Sequence, residues 1–313
     1  MILSVCFTPT IERNWITPNF GVGGFYRVEE EFVFASGKGI NVARVIKKLS
    51  GDVLSLGFIG GHNGHLFQDL IEAEGIEGCW TQISGETRQS ITVYSPDSKS
   101  DATSFCGYGP TISTVEWSSL AQDLYDLSRN VKNICISGNI PPGVQEEQLS
   151  TVIKNLGQQH KNVWLDFSGK MLESGVKANP YAVKVNAREI SALTGKTITN
   201  KTEALEISEI VRNLYGLAVV SVTLGEKGAV CSSTWGEWII HPIQYPRVIS
   251  SIGCGDAFLG GLLTGLDAGL PFEECLKWAS AAAGANTQRL GPGNFELEDY
   301  DKALEKVNLE RVL

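Results

Sequence analysis

Gly253-Cys254-Gly255-Asp256-Ala257-Phe258-Leu259-Gly260 joins a strand-like stretch at 245–252 to an apolar helix that runs to Ala268. Two glycines at such a junction let backbone N–H groups face an anion, and the helix N-terminus adds the positive end of its dipole. Asp256 is the odd member, because a carboxylate in an anion cradle repels a phosphate unless it has a task there. Removing a proton from a hydroxyl that attacks a phosphoryl group is one such task. A plain acidic cap of the first helical turn accounts for the same residue. The local pattern leaves both readings open.

Outward from this junction, strand-like and helix-like segments alternate over most of the 313 residues. The pattern predicts strands at 2–7, 53–59, 133–137, 163–167, 182–185, 218–223 and 229–232. It predicts helices at 39–49, 64–74, 114–127, 146–158, 201–215, 255–268, 272–287 and 297–306. The helix from Gly39 repeats Ile40, Ala43, Ile46 and Leu49 on one face. Such alternation specifies an α/β fold with a mostly parallel sheet flanked by helices. Two stretches break it, at 15–34 and 88–105, with turn residues, aromatics and no helical period. They read as extra β-structure outside the main sheet, a small lid built from two inserts at about 10–34 and 86–108.

The length allows one large α/β domain or two ordinary ones, and either can bury a sizeable core. A net charge of −9 argues against a nucleic-acid backbone as main partner. It leaves room for a small anionic ligand in a locally basic site. No run of 18 apolar residues occurs, so no transmembrane helix and no membrane partner are expected. Met1 to Phe7 has no basic n-region and reads as a buried first strand. Seven cysteines, odd in number and without a C-x-x-C pair, fit reduced buried thiols in a cytoplasm.

Other motifs carry possible chemistry. Gly195-Lys196-Thr197 fails as a P-loop because Ile190 stands where the first glycine belongs. The Gly253–Gly260 octet fails as a dinucleotide fingerprint at Phe258. Gly37-Lys38-Gly39-Ile40-Asn41 opens a helix, offering close backbone approach, a cation and an amide to a polar or phosphorylated ligand; it also reads as a turn with a solvated lysine. Asn186-Ala187-Arg188-Glu189 follows the strand ending in Lys184 and Val185, at the sheet end where ligands bind. Glu189 in that place can act through water on a phosphate-held Mg²⁺, yet a capping box of Asn186 with Glu189 explains the pair fully. Thr223 to Gly228 is a tight turn with or without a nucleotide against it. His62 and His65 have no third partner in sequence and read as surface or capping residues.

Taken in order, Gly37 to Ala43, Asn186 to Glu189, Thr223 to Gly228 and Gly253 to Phe258 resemble the motifs of the ribokinase-like (PfkB) carbohydrate kinase family. The resemblance covers essentially the whole chain. It is closest to the branch of 1-phosphofructokinase and tagatose-6-phosphate kinase, through Gly37 to Arg44, Thr87-Arg88 and Ser137-Gly138-Asn139-Ile140-Pro141-Pro142-Gly143. It implies a three-layer α/β/α sandwich with a β-sheet lid, ATP and Mg²⁺ as cofactors, and a homodimer through the lids. It implies Asp256 as base, with Gly253, Cys254 and Gly255 as the anion hole. Lys184, Asn186 and Glu189 would lie near the ATP phosphates and Mg²⁺. Thr223, Gly225 and Gly228 would line the nucleotide, and Asn286 would sit near its base. Lys38 and Arg88 would reach a phosphate already on the sugar, while Gly37, Asn41 and Glu12 would meet sugar hydroxyls.

This sequence departs from the branch on the acceptor side. Glu12 stands where an aspartate is usual, Ser36 replaces a glycine, Gln89-Ser90 follow Thr87-Arg88, and residues 103–107 lack the usual asparagine and glutamate. Cys254 replaces an alanine in the anion hole. A thiol at a helix N-terminus suggests sensitivity to oxidation, although a small residue filling an alanine-sized gap explains it too. The expectation is a kinase of a hexose phosphate. Its rivals are a kinase of an unphosphorylated sugar or nucleoside, and a ligand-binding regulator without turnover.

Overall fold

In the first strand, β1 (Ile2–Cys6), every residue is buried, with Leu3 and Val5 in one apolar core and Ile2 and Cys6 in another. Side chains alternate along a strand, so one buried on both faces must lie between two layers. The computed structural model describes residues 1–95 and 102–312. After β1 come β2 (Thr10–Ile16), β3 (Glu30–Ser36), α1 (Lys38–Lys48), β4 (Val53–Ile59), α2 (Gly61–Ala73), β5 (Glu77–Gln82), β6 (Arg88–Tyr94) and β7 (Thr103–Cys106). The middle holds α3 (Thr114–Ser128), β8 (Asn133–Ser137), α4 (Glu146–Gln158), β9 (Asn162–Asp166), α5 (Gly169–Lys177), β10 (Ala182–Asn186), α6 (Ala187–Thr194) and α7 (Lys201–Tyr215). The chain ends with β11 (Val219–Thr223), β12 (Ala229–Ser233), β13 (Gly236–Ile240), α8 (Cys254–Asp267), α9 (Phe272–Asn286), α10 (Leu297–Leu304) and β14 (Leu309–Arg311).

Among the described residues, ten strands form one sheet in the order β14-β13-β12-β11-β10-β9-β8-β1-β4-β5. The seven from β11 to β5 run parallel, and β12, β13 and β14 are antiparallel. Leu120, Leu149, Leu172, Ile190 and Leu205, from α3 to α7, fill one face. Ile40, Phe67, Leu262 and Leu276, from α1, α2, α8 and α9, fill the other. This is the expected three-layer α/β/α sandwich. Strand order reverses between β1 and β8, and a parallel sheet binds ligands beyond the carboxyl ends of its strands at such a reversal. Register keeps those ends level, with Ser137 opposite Asp166 and Asn186 opposite Thr223.

A second sheet of four strands, β3-β2-β6-β7, stands apart from the first. Its strands come from the two segments that break the alternation; residues 96–101 of the expected insert lie outside the described residues. Val22, Phe25, Phe105 and Tyr108 are exposed on and around it.

Helix α8 owes its close packing to the glycines of the opening stretch. A Cβ at Gly260 would meet the Val45 side chain at 2.7 Å, and one at Gly261 would meet the Trp278 carbonyl at 2.5 Å. Without side chains there, α8 lies directly against α1 and α9. That contact brings Asn41 of α1 to Asp256 of α8 across 215 residues of sequence.

One expectation about elements needs correction, and some elements were not expected. No strand forms at 245–252; Pro246 has no N–H to give a ladder, and the Ile249 N–H donates to the Thr287 carbonyl at 2.8 Å instead. Four elements have no counterpart in the sequence reading: α5, with a glycine inside it, β13, and the edge strands β5 and β14. An edge strand pairs on one side only and needs less of the apolar alternation that marks a strand.

Candidate functional site

The glycine turn before α8 is locked from outside. Gly253 has φ 83°, and a Cβ on it would strike Pro292 at 2.6 Å. Asn286 is fully buried and holds the turn. Its Nδ2 donates to the Ile252 carbonyl at 2.8 Å and lies 3.3 Å from Cys254 Sγ, while its Oδ1 accepts from Gly293 N–H at 2.7 Å. The Asn286 amide is thus engaged within the protein, on the turn and on the Gly293 N–H. The first turn of α8 leaves its leading N–H groups without intrahelical acceptors, aimed out of the helix start.

Asp256 is 7% exposed in that first turn, and Asn41 Nδ2 donates to its Oδ2 at 2.7 Å. Burial, with the nearby Asp166 carboxylate, raises its carboxyl to about 6 against the opposing pull of Lys184 and Lys38. A carboxylate held near neutrality can take a proton and give it up again.

Asp166, at the end of β9, is the centre that the sequence reading misses. It is fully buried and anchors both site lysines: Lys184 Nζ lies 2.7 Å from Oδ2 and Lys38 Nζ 2.8 Å from Oδ1. Burial opposes its charge, but the two lysines outweigh burial and hold it below the usual carboxylate range. Its one legible signal is an acidic residue ending an apolar strand. Lys184 also lies against the α8 start, where a Cβ on Gly255 would meet its Nζ at 2.7 Å. The octet's second glycine thus makes room for an ammonium beside the anion cradle.

The resemblance sets Lys38 at a phosphate on the acceptor, with Arg88. In the structure it begins α1, bonds Asp166 and lies 3.8 Å from Glu189 Oε1. A cation is disfavoured at a helix N-terminus. Burial also opposes its charge, yet Asp166, Asp256 and Glu189 together raise its pKa. Lys38 is therefore a charged member of the buried cluster.

Asn186 and Glu189 form the full capping box of α6. Asn186 Oδ1 accepts from Arg188 and Glu189 N–H at 2.9 and 3.0 Å, and Glu189 Oε2 accepts from Asn186 N–H at 2.8 Å. The box leaves Glu189 Oε1 facing Lys38. Thr223 ends β11 beside Asn186, and Gly225 and Gly228 close the following turn at φ 61° and 91°. A Cβ on Gly228 would strike the Ile240 carbonyl at 2.2 Å, so structure alone demands that glycine. Among the described residues no three metal-ligating side chains cluster. A divalent ion here would rest chiefly on nucleotide phosphates, with Glu189 Oε1 able to reach it through water.

Toward the second sheet the groups are less engaged. Glu12 on β2 accepts from Thr92 Oγ1 at 2.6 Å, and burial raises its pKa against Thr92 and Arg88. Arg88 begins β6; its Nη1 donates to the Gly107 carbonyl at 3.2 Å, while its buried Nε has no partner among the described residues. Gly37 presses on Cys6, whose Sγ would meet a Cβ there at 2.7 Å. Asn41 Oδ1 accepts from Ser36 Oγ at 3.1 Å and Arg44 Nη1 at 3.2 Å, so Asn41 serves Asp256 first. Burial lifts the Cys254 thiol to about 11, which favours its neutral form. His62 and His65 are exposed on α2, and all seven cysteines are free.

The family model described as pfkB family carbohydrate kinase matches residues 24–299. The chain is 30% identical to 1-phosphofructokinase of Haemophilus influenzae over 93% of this chain and 92% of that protein. It is 26% identical to tagatose-6-phosphate kinase of Staphylococcus epidermidis over the full length of both. Its fold matches Escherichia coli phosphofructokinase-2, solved in complex with potassium, at TM-score 0.89 and 26% identity over 97% of this chain and 98% of that one.

Proposed function

This chain belongs to the pfkB family of carbohydrate kinases, and we propose that it transfers the γ-phosphoryl group of ATP to a hydroxyl of a hexose phosphate. It is a phosphotransferase with an alcohol group as acceptor. The observation that carries the proposal is Asp256: a buried carboxylate raised to about 6, at the first turn of a helix whose free N–H groups face the same space.

The acceptor hydroxyl gives its proton to Asp256 as its oxygen bonds to the γ-phosphorus, the bond to ADP breaks, and ADP keeps that electron pair. The N–H groups of Gly255 and Asp256, with the Lys184 ammonium, stabilise charge on the transferred group. Mg²⁺ bound on the ATP phosphates would supply charge neutralisation, and Glu189 Oε1 is the group that would meet it through water. Asn186, Thr223, Gly225 and Gly228 border the nucleotide. Glu12 and Gly37 face the sugar, and the unpartnered Nε of Arg88 supplies a donor for its phosphate. The second sheet acts as a lid over this acceptor side. Its exposed Val22, Phe25, Phe105 and Tyr108 support a homodimer in which two lids cover each other. Seven free cysteines fit a cytoplasmic enzyme. No helix among the described residues is long and apolar enough to cross a membrane.

One observation favours a second reading. With Lys38 bound to Asp166, the case for an acceptor phosphate rests on Arg88, and an unphosphorylated sugar would need no second cation. ATP consumption across a panel of hexose phosphates, free sugars and nucleosides decides between them. The proposal expects kcat/KM highest for a hexose phosphate; preference for a neutral sugar or nucleoside replaces it with the second reading, and no turnover with any acceptor leaves a binding protein.

A further inference from the structure

Arg44 on α1 is 3% exposed, and its guanidinium ties together groups from several parts of the chain. Its Nε and Nη2 grip both oxygens of Glu74, and Nη2 also donates to the Ala35 carbonyl. Its Nη1 donates to the Pro292 carbonyl at 2.9 Å and to Asn41 Oδ1 at 3.2 Å. Asn41 is itself buried, and its Nδ2 donates to Asp256.

A guanidinium can only donate. Facing Arg44, the Asn41 amide must present oxygen; Ser36 Oγ, 3.1 Å away, fits the same choice. The amide nitrogen then has to point at Asp256. The flipped amide would set N–H groups against a cation and an oxygen against a carboxylate, two repulsions in a buried place. Pro292, held by the same Nη1, is the residue against which Gly253 closes.

We propose that Arg44 is a positioning residue for the phosphoryl-transfer site, fixing the Asn41 amide so that it donates to Asp256 and bracing the Pro292 loop behind the glycine turn. This rests on the reading of Asp256 as the base. The charged groups facing Asp256 are Asp166 from β9, Lys184 from β10 and Lys38 from α1. Arg44 bonds none of these three, and its one contact that leads to Asp256 is the Asn41 amide, so a shift in titration is read as a change at that amide. The amide hydrogen bond favours the charged carboxylate; losing it raises the carboxyl further, and the acid limb of the kcat profile moves to higher pH.

The test is Arg44→Lys in the full-length protein, with thermal unfolding and pH profiles of kcat and KM. Expected are a folded protein, kcat lower by about tenfold to a hundredfold, an acid limb displaced upward, and a KM for ATP close to wild type. A lowered kcat with the acid limb in its wild-type place means Arg44 only stabilises the fold and overturns the proposal. Should Arg44→Lys not fold, Glu74→Gln decides: it loosens the grip on the guanidinium and leaves its other acceptors in place. A smaller upward shift is expected there, and a wild-type profile overturns the proposal. Asp256→Asn run alongside separates the two levels. If Asp256→Asn keeps kcat, the base assignment fails and takes this inference with it; if it is inactive while Arg44→Lys behaves as wild type, this inference alone fails.

Discussion

The transfer end of the site and the acceptor end differ in how far their polar groups are spent. Around Asp256, every charged side chain has a partner before any ligand arrives: Lys38 and Lys184 share Asp166, and Asn41 holds Asp256. At the second sheet, among the described residues, Arg88 keeps a buried Nε without a partner and Glu12 rests on a single threonine. A buried charge is tolerable when paired, and a fixed array of paired charges needs no reorganisation as the phosphoryl group moves. An unpartnered donor costs stability and is retained where a ligand completes it. On the proposed function, the transfer end is thus preorganised and the acceptor end is completed by its substrate. The sequence shows the same division, since its departures from the family branch gather on the acceptor side.

The sharpest way to break this comparison is Asp256→Asn. Folding and ATP affinity should stay near wild type while kcat falls by about two to four decades. Near-wild-type turnover would reduce Asp256 to a helix cap.

Asp166→Asn probes the pairing itself. It keeps the shape, removes the charge and leaves two buried ammonium groups short of a counter-ion. Breaking such a pair costs about 3–5 kcal/mol, read as a lowered urea midpoint. Loss of the neighbouring carboxylate also lowers the Asp256 pKa from its raised value near 6, so the acid limb of any residual activity moves to lower pH. Unchanged stability would show that the lysines are not held by this carboxylate.

Arg88→Ala tests the waiting end. KM for the acceptor should rise about tenfold to a hundredfold, the worth of a charge-assisted hydrogen bond, with KM for ATP little changed. Lys38→Ala should instead lower kcat, because Lys38 belongs to the buried cluster. If the two variants shift acceptor KM alike, the division between the ends is wrong.

The smallest effect is expected at Cys254. With its thiol raised to about 11, peroxide should inactivate wild type and Cys254→Ala at equal rates. Faster loss in wild type would give this cysteine a redox role despite its burial.

Features that depend on neighbours along the chain are legible in the amino-acid sequence. The octet's glycine turn, the apolar face of α1 and the capping box of Asn186 with Glu189 are set by steric freedom, helical period and hydrogen bonds three residues apart. Alternating apolar segments are enough to specify a parallel sheet between helix layers. Edge strands β5 and β14 escape notice because a strand paired on one side carries a weaker pattern. The stretch 245–252 misleads because an apolar run does not say whether a partner strand is free to receive it.

What the sequence determined by itself was therefore the fold and which residues stand as candidates for the chemistry, Asp256 and its glycines among them. Tertiary structure alone decided their duties. Lys38 meets Asp166 across 128 residues of chain, and Asp256 meets Asn41 across 215. Asn286, expected at a nucleotide, is spent inside the protein on the turn it braces. Charge, desolvation and hydrogen-bond satisfaction are set by whatever lies within a few ångströms in space. Which groups those are depends on how the layers pack, and no local pattern records it.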